Sequence, residues 1–385
     1  MPSRRDVLAT LGTGATLGLA GCSSEPCTAA EPQPIQWRQP GGDARNTAAD
    51  ADHTVPAEVA ERWRASITDD SDLLAFAGGV VDTGETITVG RTSEGGFRGS
   101  IDLRNGDRGT WLPVPQTVAT PPVSVSNFTA VAFETDEGST LRLFNEGLEA
   151  GRYALGAPPP TPRAAGTTLF GGDADGAYAY EVTESEERWR HDFGDEEEGG
   201  AIPFGPAVDE ERAYVTVTSS SDRGIYALDR LTGEIEWSVE GPRPFRDPVR
   251  VGSLLFVPVE YELLAFDAET GEPRWSTLTP ADRKAFLPPA GTEDQLVVSD
   301  AWEIHALDPE TGDLGWSVEE KGVGRPIVIG DTVLASGSGS GVVAYDLADG
   351  GERWRIKDGL LVAPLGNGVL VRQEGEMAAY TACEN

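Results

Sequence analysis

Lysine is nearly missing from this chain, with three in 385 residues: Lys284, Lys321 and Lys357. Lysine and arginine together number 30 against 64 aspartates and glutamates, a formal charge of −34. So one-sided a charge excludes a basic face for nucleic-acid phosphates and an electrostatic patch for anionic lipid. It also repels itself unless strong salt shortens the screening length to a few ångströms, so the composition reads as halophilic, of archaeal type. Histidine is as scarce. His53, His191 and His305 are scattered, without metal-ligand spacing. The acidic run Asp192–Glu198 has carboxylates for Ca²⁺, but in so acidic a chain it reads as a solvated loop, and no metal is expected. No phosphate-binding glycine loop occurs, and no Ser/His/Asp set assembles from sequence order. Cysteine is limited to Cys22, Cys27 and Cys383, none adjacent to another.

What the chain has in abundance is one phrase. It reads IYALDRLTGEIEW at Ile225–Trp237 and returns as LLAFDAETGEPRW, IHALDPETGDLGW and VVAYDLADGGERW. The spacing is constant in Asp229/Gly233/Trp237, Asp267/Gly271/Trp275, Asp308/Gly312/Trp316 and Asp346/Gly350/Trp354. The apolar run is a strand. Asp-x-x-Thr-Gly is turn chemistry: the aspartate can accept backbone N–H bonds from the residues after it, and the glycine takes the positive φ of a tight turn. The tryptophan opens the next strand, offering a flat face to a neighbouring unit and an indole N–H that needs an acceptor. Another short strand precedes each hairpin, and before that comes one marked by Pro206, Pro248, Pro288 or Pro326, which belongs at a sheet edge. Each unit is thus four antiparallel strands, the signature of propeller blades.

Weaker copies extend backwards through Trp189, Tyr153 and Trp111, with Trp63 standing alone. The aromatic series then repeats about every 42 residues. After Trp354 three strands remain, and the orphan Trp63 strand supplies their fourth. The expected fold is all-β: an eight-bladed propeller of four-stranded antiparallel blades, closed by N- and C-terminal strands in one blade. Seven blades is the alternative, should residues 112–153 form no blade of their own.

The phrase, with the lead-in Trp37-Arg-Gln-Pro-Gly-Gly-Asp43-Ala-Arg-Asn46, resembles the PQQ-like (PQQ enzyme) repeat family in its BamB-like branch, over roughly residues 35–385. No Trp-Asp dipeptide places it with the WD repeats. The resemblance implies a scaffold of the kind that assists outer-membrane protein assembly in diderm bacteria. The quinoprotein dehydrogenases share the repeat. They add Ca²⁺-ligating side chains, a catalytic aspartate and a vicinal disulfide, none of which this sequence matches, so no catalytic or cofactor-binding residue is assigned.

The ends carry the rest. Ser3-Arg4-Arg5-Asp6 resembles a twin-arginine export signal, and Leu19-Ala20-Gly21-Cys22 a lipoprotein signal. The run between is too short to span a bilayer, and lipid on Cys22 anchors without spanning. The expected divisions are 1–21 signal, 22–36 flexible tether and 37–385 propeller. Cys27 and Cys383 are free to pair outside the cell. Scarce cations gather near the proline-marked strands, among them Arg163, Arg246, Lys284 and Arg325, and are expected at a channel mouth that binds an anion. The functional expectation is a lipid-anchored extracellular platform for a protein, peptide or glycan, without a cofactor. Its alternative is a quinone- or small-molecule-dependent oxidoreductase working in the channel.

Overall fold

The computed structural model describes residues 27–66, 75–82, 84–92, 95–136, 138–156, 159–193, 202, 204–218, 221–244, 246–278, 286–300, 302–337 and 339–384. They form eight antiparallel sheets of four principal strands, with no helix. Seven are continuous in sequence and are numbered here as blades 1 to 7: 75–114, 123–155, 163–192, 207–240, 249–278, 290–319 and 327–356. Strands a to d run outward from the centre of each. The eighth blade takes a, b and c from Leu360–Leu365, Gly368–Gln373 and Glu376–Glu384, and d from Val59–Ser66. The ring is closed by the two ends of the chain, and the alternative of seven blades falls.

The repeat residues explain why the blades stay together. In the c–d turn of blade 4, Asp229 Oδ1 accepts from the N–H groups of Leu231 and Thr232 and from the Thr232 hydroxyl. Asp267 makes the same three contacts in blade 5. The following glycine is left-handed, at φ +73° in both Gly233 and Gly271. Its bare Cα receives the tryptophan of the preceding blade: a Cβ on Gly271 would lie 2.7 Å from the Trp237 ring, and one on Gly312 2.7 Å from Trp275. The indole N–H then donates to the carbonyl after the repeat aspartate, Trp237 to Ala268 at 3.1 Å, Trp275 to Pro309 and Trp316 to Leu347 at 2.9 Å. Trp189 to Arg230 and Trp63 to Leu103 complete the same lock in the weaker copies. Apolar side chains fill the spaces between blades. Tyr214, Ile225 and Ala227 of blade 4, for example, pack with Leu255, Val257 and Phe266 of blade 5.

The turn of blade 7, which ends at Gly350, corrects the expectation of one shared Asp-x-x-Thr-Gly chemistry. Asp349 stands where the other three copies have threonine, so no hydroxyl is there to reach the repeat aspartate. Asp346 Oδ1 accepts from the Ala348 N–H, and the Asp349 carboxylate turns forward to accept from Gly351. Gly350 itself keeps the role of its counterparts. It is left-handed at φ +74°, and its N–H donates to the Asp346 carbonyl at 2.9 Å. A Cβ on Gly350 would lie 2.7 Å from the Trp316 ring and 3.0 Å from Val318. The space that the tryptophan needs thus holds the glycine in place even where the side-chain bonds of the turn have changed.

Blade 8 has no c–d turn, because its c strand Glu376–Glu384 and its d strand Val59–Ser66 lie far apart in the sequence. The indole of Trp354 finds the Pro56 carbonyl there instead, at 2.9 Å. Cys383, where the missing turn would begin, is bonded to Cys27, with Cα atoms 5.4 Å apart. Residues 27–36 are therefore not a tether. Ala30 N–H donates to the Ala382 carbonyl, Asn367 bonds Gln33 and Glu31, and Ile35 is buried. The small, proline-rich composition that suggested flexibility says nothing about these long-range bonds.

The lead-in then crosses the a strands of seven blades in turn. The carbonyl of Arg38 accepts from Ser124, and Gln39 makes a reciprocal pair of bonds with Ala164. The carbonyls of Ala44, Arg45, Thr47 and Ala48 take the N–H groups of Val208, Arg250, Gly291 and Val328. Ala49–Asp50 pairs parallel to the a strand of blade 7, and Gln33 accepts from Gly366 of blade 8. These bonds satisfy inner-strand N–H groups that no neighbouring strand reaches.

Candidate functional site

Asn46 lies at the centre of this crossing, fully buried and at φ +64°. Its amide N–H donates to the Pro248 carbonyl, and its Oδ1 accepts from Arg163 at 2.8 Å and Arg325 at 2.6 Å. Arg163 opens the a strand of blade 3, and Arg325 precedes that of blade 7. Four blades apart in a ring of eight, they stand on opposite sides of the axis and meet on one side-chain oxygen.

The remaining contacts are also with the chain itself. Arg163, 1% exposed, pairs with Asp247 at 2.7 Å and donates to the carbonyls of Pro40 and Pro206. Arg325 donates to the Asn46 and Pro289 carbonyls. Burial lowers the pKa of both guanidiniums, and with Arg163 close by, that of Arg325 is pushed down to about 9. Burial likewise raises the carboxyl of Asp43. Arg246 is half-buried in the connector between blades 4 and 5, and Lys284 lies outside the described residues. Arg163 and Arg325 thus depart from the expected anion-binding mouth: the lead-in segment brings Asn46 to the axis, and their donors are turned onto it. Sequence reading missed Asn46 as their partner, although the lead-in phrase contains it. It also missed that the prolines before the a strands offer carbonyls to the same cluster.

Other residues singled out in the sequence are dispersed. His53 contacts Asp50, His191 bonds the Gly233 carbonyl, and His305 stands 3.6 Å from Asp300. Among the described residues no group of three or more His, Cys, Asp or Glu side chains is arranged to hold a metal. The repeat residues from Asp229 to Trp354, Gly350 included, lie in the outer c–d turns and d strands, away from the axis. Cys22 and most of the Asp192–Glu198 run lie outside the described residues.

The ring presents two faces. One carries the a–b and c–d turns, hence the repeat aspartates and the clasp at Cys27; the other carries the b–c loops and the connectors between blades. Arginines on the turn face are engaged with acids: Arg45 with Glu210 at 2.8 Å, Arg274 with Asp267 at 2.6 Å and Arg353 with Asp331 at 2.8 Å. A cleft of about 370 Å³ between blades 4 and 5 on this face is lined by Asp209, Glu211, Arg212 and Arg250. Its Asp209 carboxylate is satisfied by two backbone N–H groups, the Tyr214 hydroxyl and Arg250. The loop face instead exposes two large aromatics on adjacent blades, Tyr261 at 54% and Trp302 at 43%.

Fold and repeat together define the class: an eight-bladed propeller whose blades are interlocked by a recurring Asp, Gly and Trp. Within it, the chain belongs to the family described as outer membrane protein assembly factor BamB, whose model matches residues 126–250 and again 241–359. No curated protein matches the sequence. Among solved structures, BamB from Moraxella catarrhalis is similar at 14% identity and TM-score 0.61, over 84% of this chain and 100% of that one. Quinohemoprotein alcohol dehydrogenase from Comamonas testosteroni is similar at 15% identity and TM-score 0.67, over 90% and 80%. Sqt1 from Saccharomyces cerevisiae aligns at 12% identity and TM-score 0.62, over 85% and 100%. At such identities the likeness is one of fold, which an assembly factor and an alcohol dehydrogenase share.

Proposed function

We propose that this chain is a non-catalytic binding platform, exported and held at the outer face of the cytoplasmic membrane by lipid on Cys22. The observation that carries the reading is the filled axis. A planar quinone on the axis would compete with Asn46 and the two guanidiniums for the same space, which leaves the outer faces for recognition. Rigid blades that present loops from several sheets suit a protein or peptide partner. The lysine-poor, acidic surface suits a halophilic setting, where salt screens the self-repulsion.

The anchor also sets an orientation. Cys27 is fixed on the turn face, and it lies five residues after Cys22. Five extended residues reach about 17 Å at most, so the turn face is held toward the membrane and the loop face away from it. The test is made on protein purified from its native membranes in high salt, by intact mass and by absorbance after PQQ and Ca²⁺ are added. A mass carrying lipid on Cys22 with no quinone retained is expected. A stoichiometric bound quinone would replace the platform with an oxidoreductase.

A further inference from the structure

Blades 4 to 7 pack against the next blade by one scheme. Four residues before the repeat aspartate stands Ile225, Leu263, Ile304 or Val342, each fully buried, and two before it stands alanine. Ile225 and Ala227 meet Leu255, Val257 and Phe266 of the next blade in this way. Blade 1 keeps the frame, with Asp102 in the aspartate position, but by the same count it has Arg98 and Ser100. Facing them, blade 2 keeps Phe144 where blade 5 has Phe266, and has Arg142 where blade 5 has Leu264. The interface between blades 1 and 2 has therefore exchanged aliphatic positions for two guanidiniums and a hydroxyl.

Arg98 is 9% exposed, with its guanidinium carbon 4.8 Å from the centre of the Phe144 ring. Its Nε–H is buried without an acceptor among the described residues. Burial lowers its pKa, and no carboxylate offsets that. Arg142, 5.1 Å from the centre of the Phe133 ring, also has a buried Nε–H without an acceptor. It stands 3.7 Å from Glu149, a carboxylate that Arg152 already holds at 2.5 Å. Arg152 lies directly opposite Arg142 in the c–d ladder. Asp102, at the end of the Arg98 strand, is taken by Arg104 at 2.5 Å. Among the described residues, Arg98, Arg142 and Arg152 thus share one carboxylate, beside walls of Val89, Val114, Val131, Phe133 and Phe144. A buried charge left unpaired is costly, and an aromatic face recovers only part of that cost. A guanidinium with unmet N–H donors is a receptor for an anion.

We infer that the interface between blades 1 and 2 binds one small monovalent anion, a halide or a short carboxylate, at the Arg98 guanidinium beside Phe144. The ion takes a place where blades 4 to 7 bury an aliphatic side chain. A weakly hydrated guanidinium suits such an ion. The aliphatic and aromatic walls bring no further donors for a sulfate or a phosphate. The bound ion completes the contact between the two blades, so its binding is read as stability. The inference is independent of the platform reading.

The probes are sodium chloride, bromide, formate and acetate, each compared with sodium sulfate at equal ionic strength. The readout is the urea midpoint of the full exported chain and of Arg98→Met. General salt effects act on both proteins and cancel in their difference. In sulfate, Arg98→Met is expected to match or exceed wild type, since it removes an unpaired buried charge. In the salt of the bound anion, wild type should gain on the variant, and the gain should rise with anion concentration as ligand binding requires. A gain in chloride and bromide names a halide, and a gain in formate and acetate names a short carboxylate. Arg98→Lys keeps the charge without the planar fork and should retain only part of the gain. It serves the same comparison should the methionine variant not fold. Arg104→Met, at a position whose side chain is 69% exposed, should show the same anion dependence as wild type. A difference between wild type and the Arg98 variants that is equal in all the salts, or largest in sulfate, overturns the inference.

Discussion

Blades 4 to 7 and blade 8 solve the same problem in different ways. In blades 4 to 7 a covalent turn joins strands c and d, and its glycine receives the tryptophan of the blade before. Blade 8 has the strands and receives Trp354, but its turn is replaced by two chain ends, and a disulfide stands where the chain is broken. Blade 2 shows a third solution. Its outer strand carries Tyr153 in place of Trp, stacked on Tyr180 with ring centres 4.7 Å apart and bonded to Arg190 of blade 3. What the geometry demands is a flat ring that reaches a polar group in the next blade. The sequence phrase is one way of meeting that demand.

The largest effect is expected at the closure. The bridge joins residues 356 apart, and chain-entropy reasoning for so long a loop gives an upper bound of about 6 kcal/mol. Reduction with dithiothreitol, or Cys383→Ser, should lower the urea midpoint by more than any single change within a blade. An unchanged midpoint would mean that strand pairing alone closes the ring. Next come two left-handed glycines in the c–d turns of different blades. Gly271→Ala meets both a left-handed backbone and the Trp237 ring, whereas a Cβ on Gly147, at φ +86° in blade 2, meets nothing within 4 Å. Gly147→Ala should cost about 1–2 kcal/mol, and Gly271→Ala about 2 kcal/mol more for the clash. Equal losses would show that backbone strain, and not the interlock, fixes the repeat glycine.

Turn chemistry of this kind was legible because it is local. Asp, Gly and Trp lie within eight residues of each other in the copies of blades 4 to 7, although each Trp locks onto the next blade, so the repeat, the blade count and the shared closing blade follow from spacing. Even the blade 7 turn, which lacks the threonine, was placed correctly by Asp346, Gly350 and Trp354 alone. Trp63, an orphan in the sequence, occupies the d strand of blade 8, the place that the count left vacant. Legibility ended where partners are distant in the chain. Nothing near Arg163 or Arg325 marks Asn46 as their common acceptor, since the contacts span 117 and 279 residues. The folding of residues 27–36 onto the closing blade was hidden for the same reason. Their main-chain groups are held by the Asn367 side-chain amide and the Ala382 carbonyl, and main-chain groups leave no trace in composition.

Two smaller effects sharpen the contrast between locks. Trp275→Phe keeps a flat ring but removes the indole donor to the Pro309 carbonyl, at a cost of about 1–2 kcal/mol in urea unfolding. Tyr153→Phe removes a hydroxyl beside Glu187 and Arg190 while Arg190 keeps Asp173 at 3.0 Å, so the loss should be smaller, about 0.5–1 kcal/mol. A reversed order would make the tyrosine cluster the stronger lock. The smallest effect is in acid. The hydrogen bond from Arg274 holds the Asp267 carboxyl below its ordinary value, helped by the N–H and hydroxyl of Thr270. A carboxyl whose pKa is lower folded than unfolded stabilises the fold above the ordinary aspartate value of about 3.9. That contribution is lost as pH falls below this value and through the folded one. Arg274 is half exposed, so solvent screening keeps the pair's contribution small. Asp267→Asn keeps an oxygen for the turn and removes the charge. Its stability relative to wild type should therefore improve by that small amount as pH falls below about 4, whereas a difference unchanged in acid would assign the role of Asp267 to turn geometry alone.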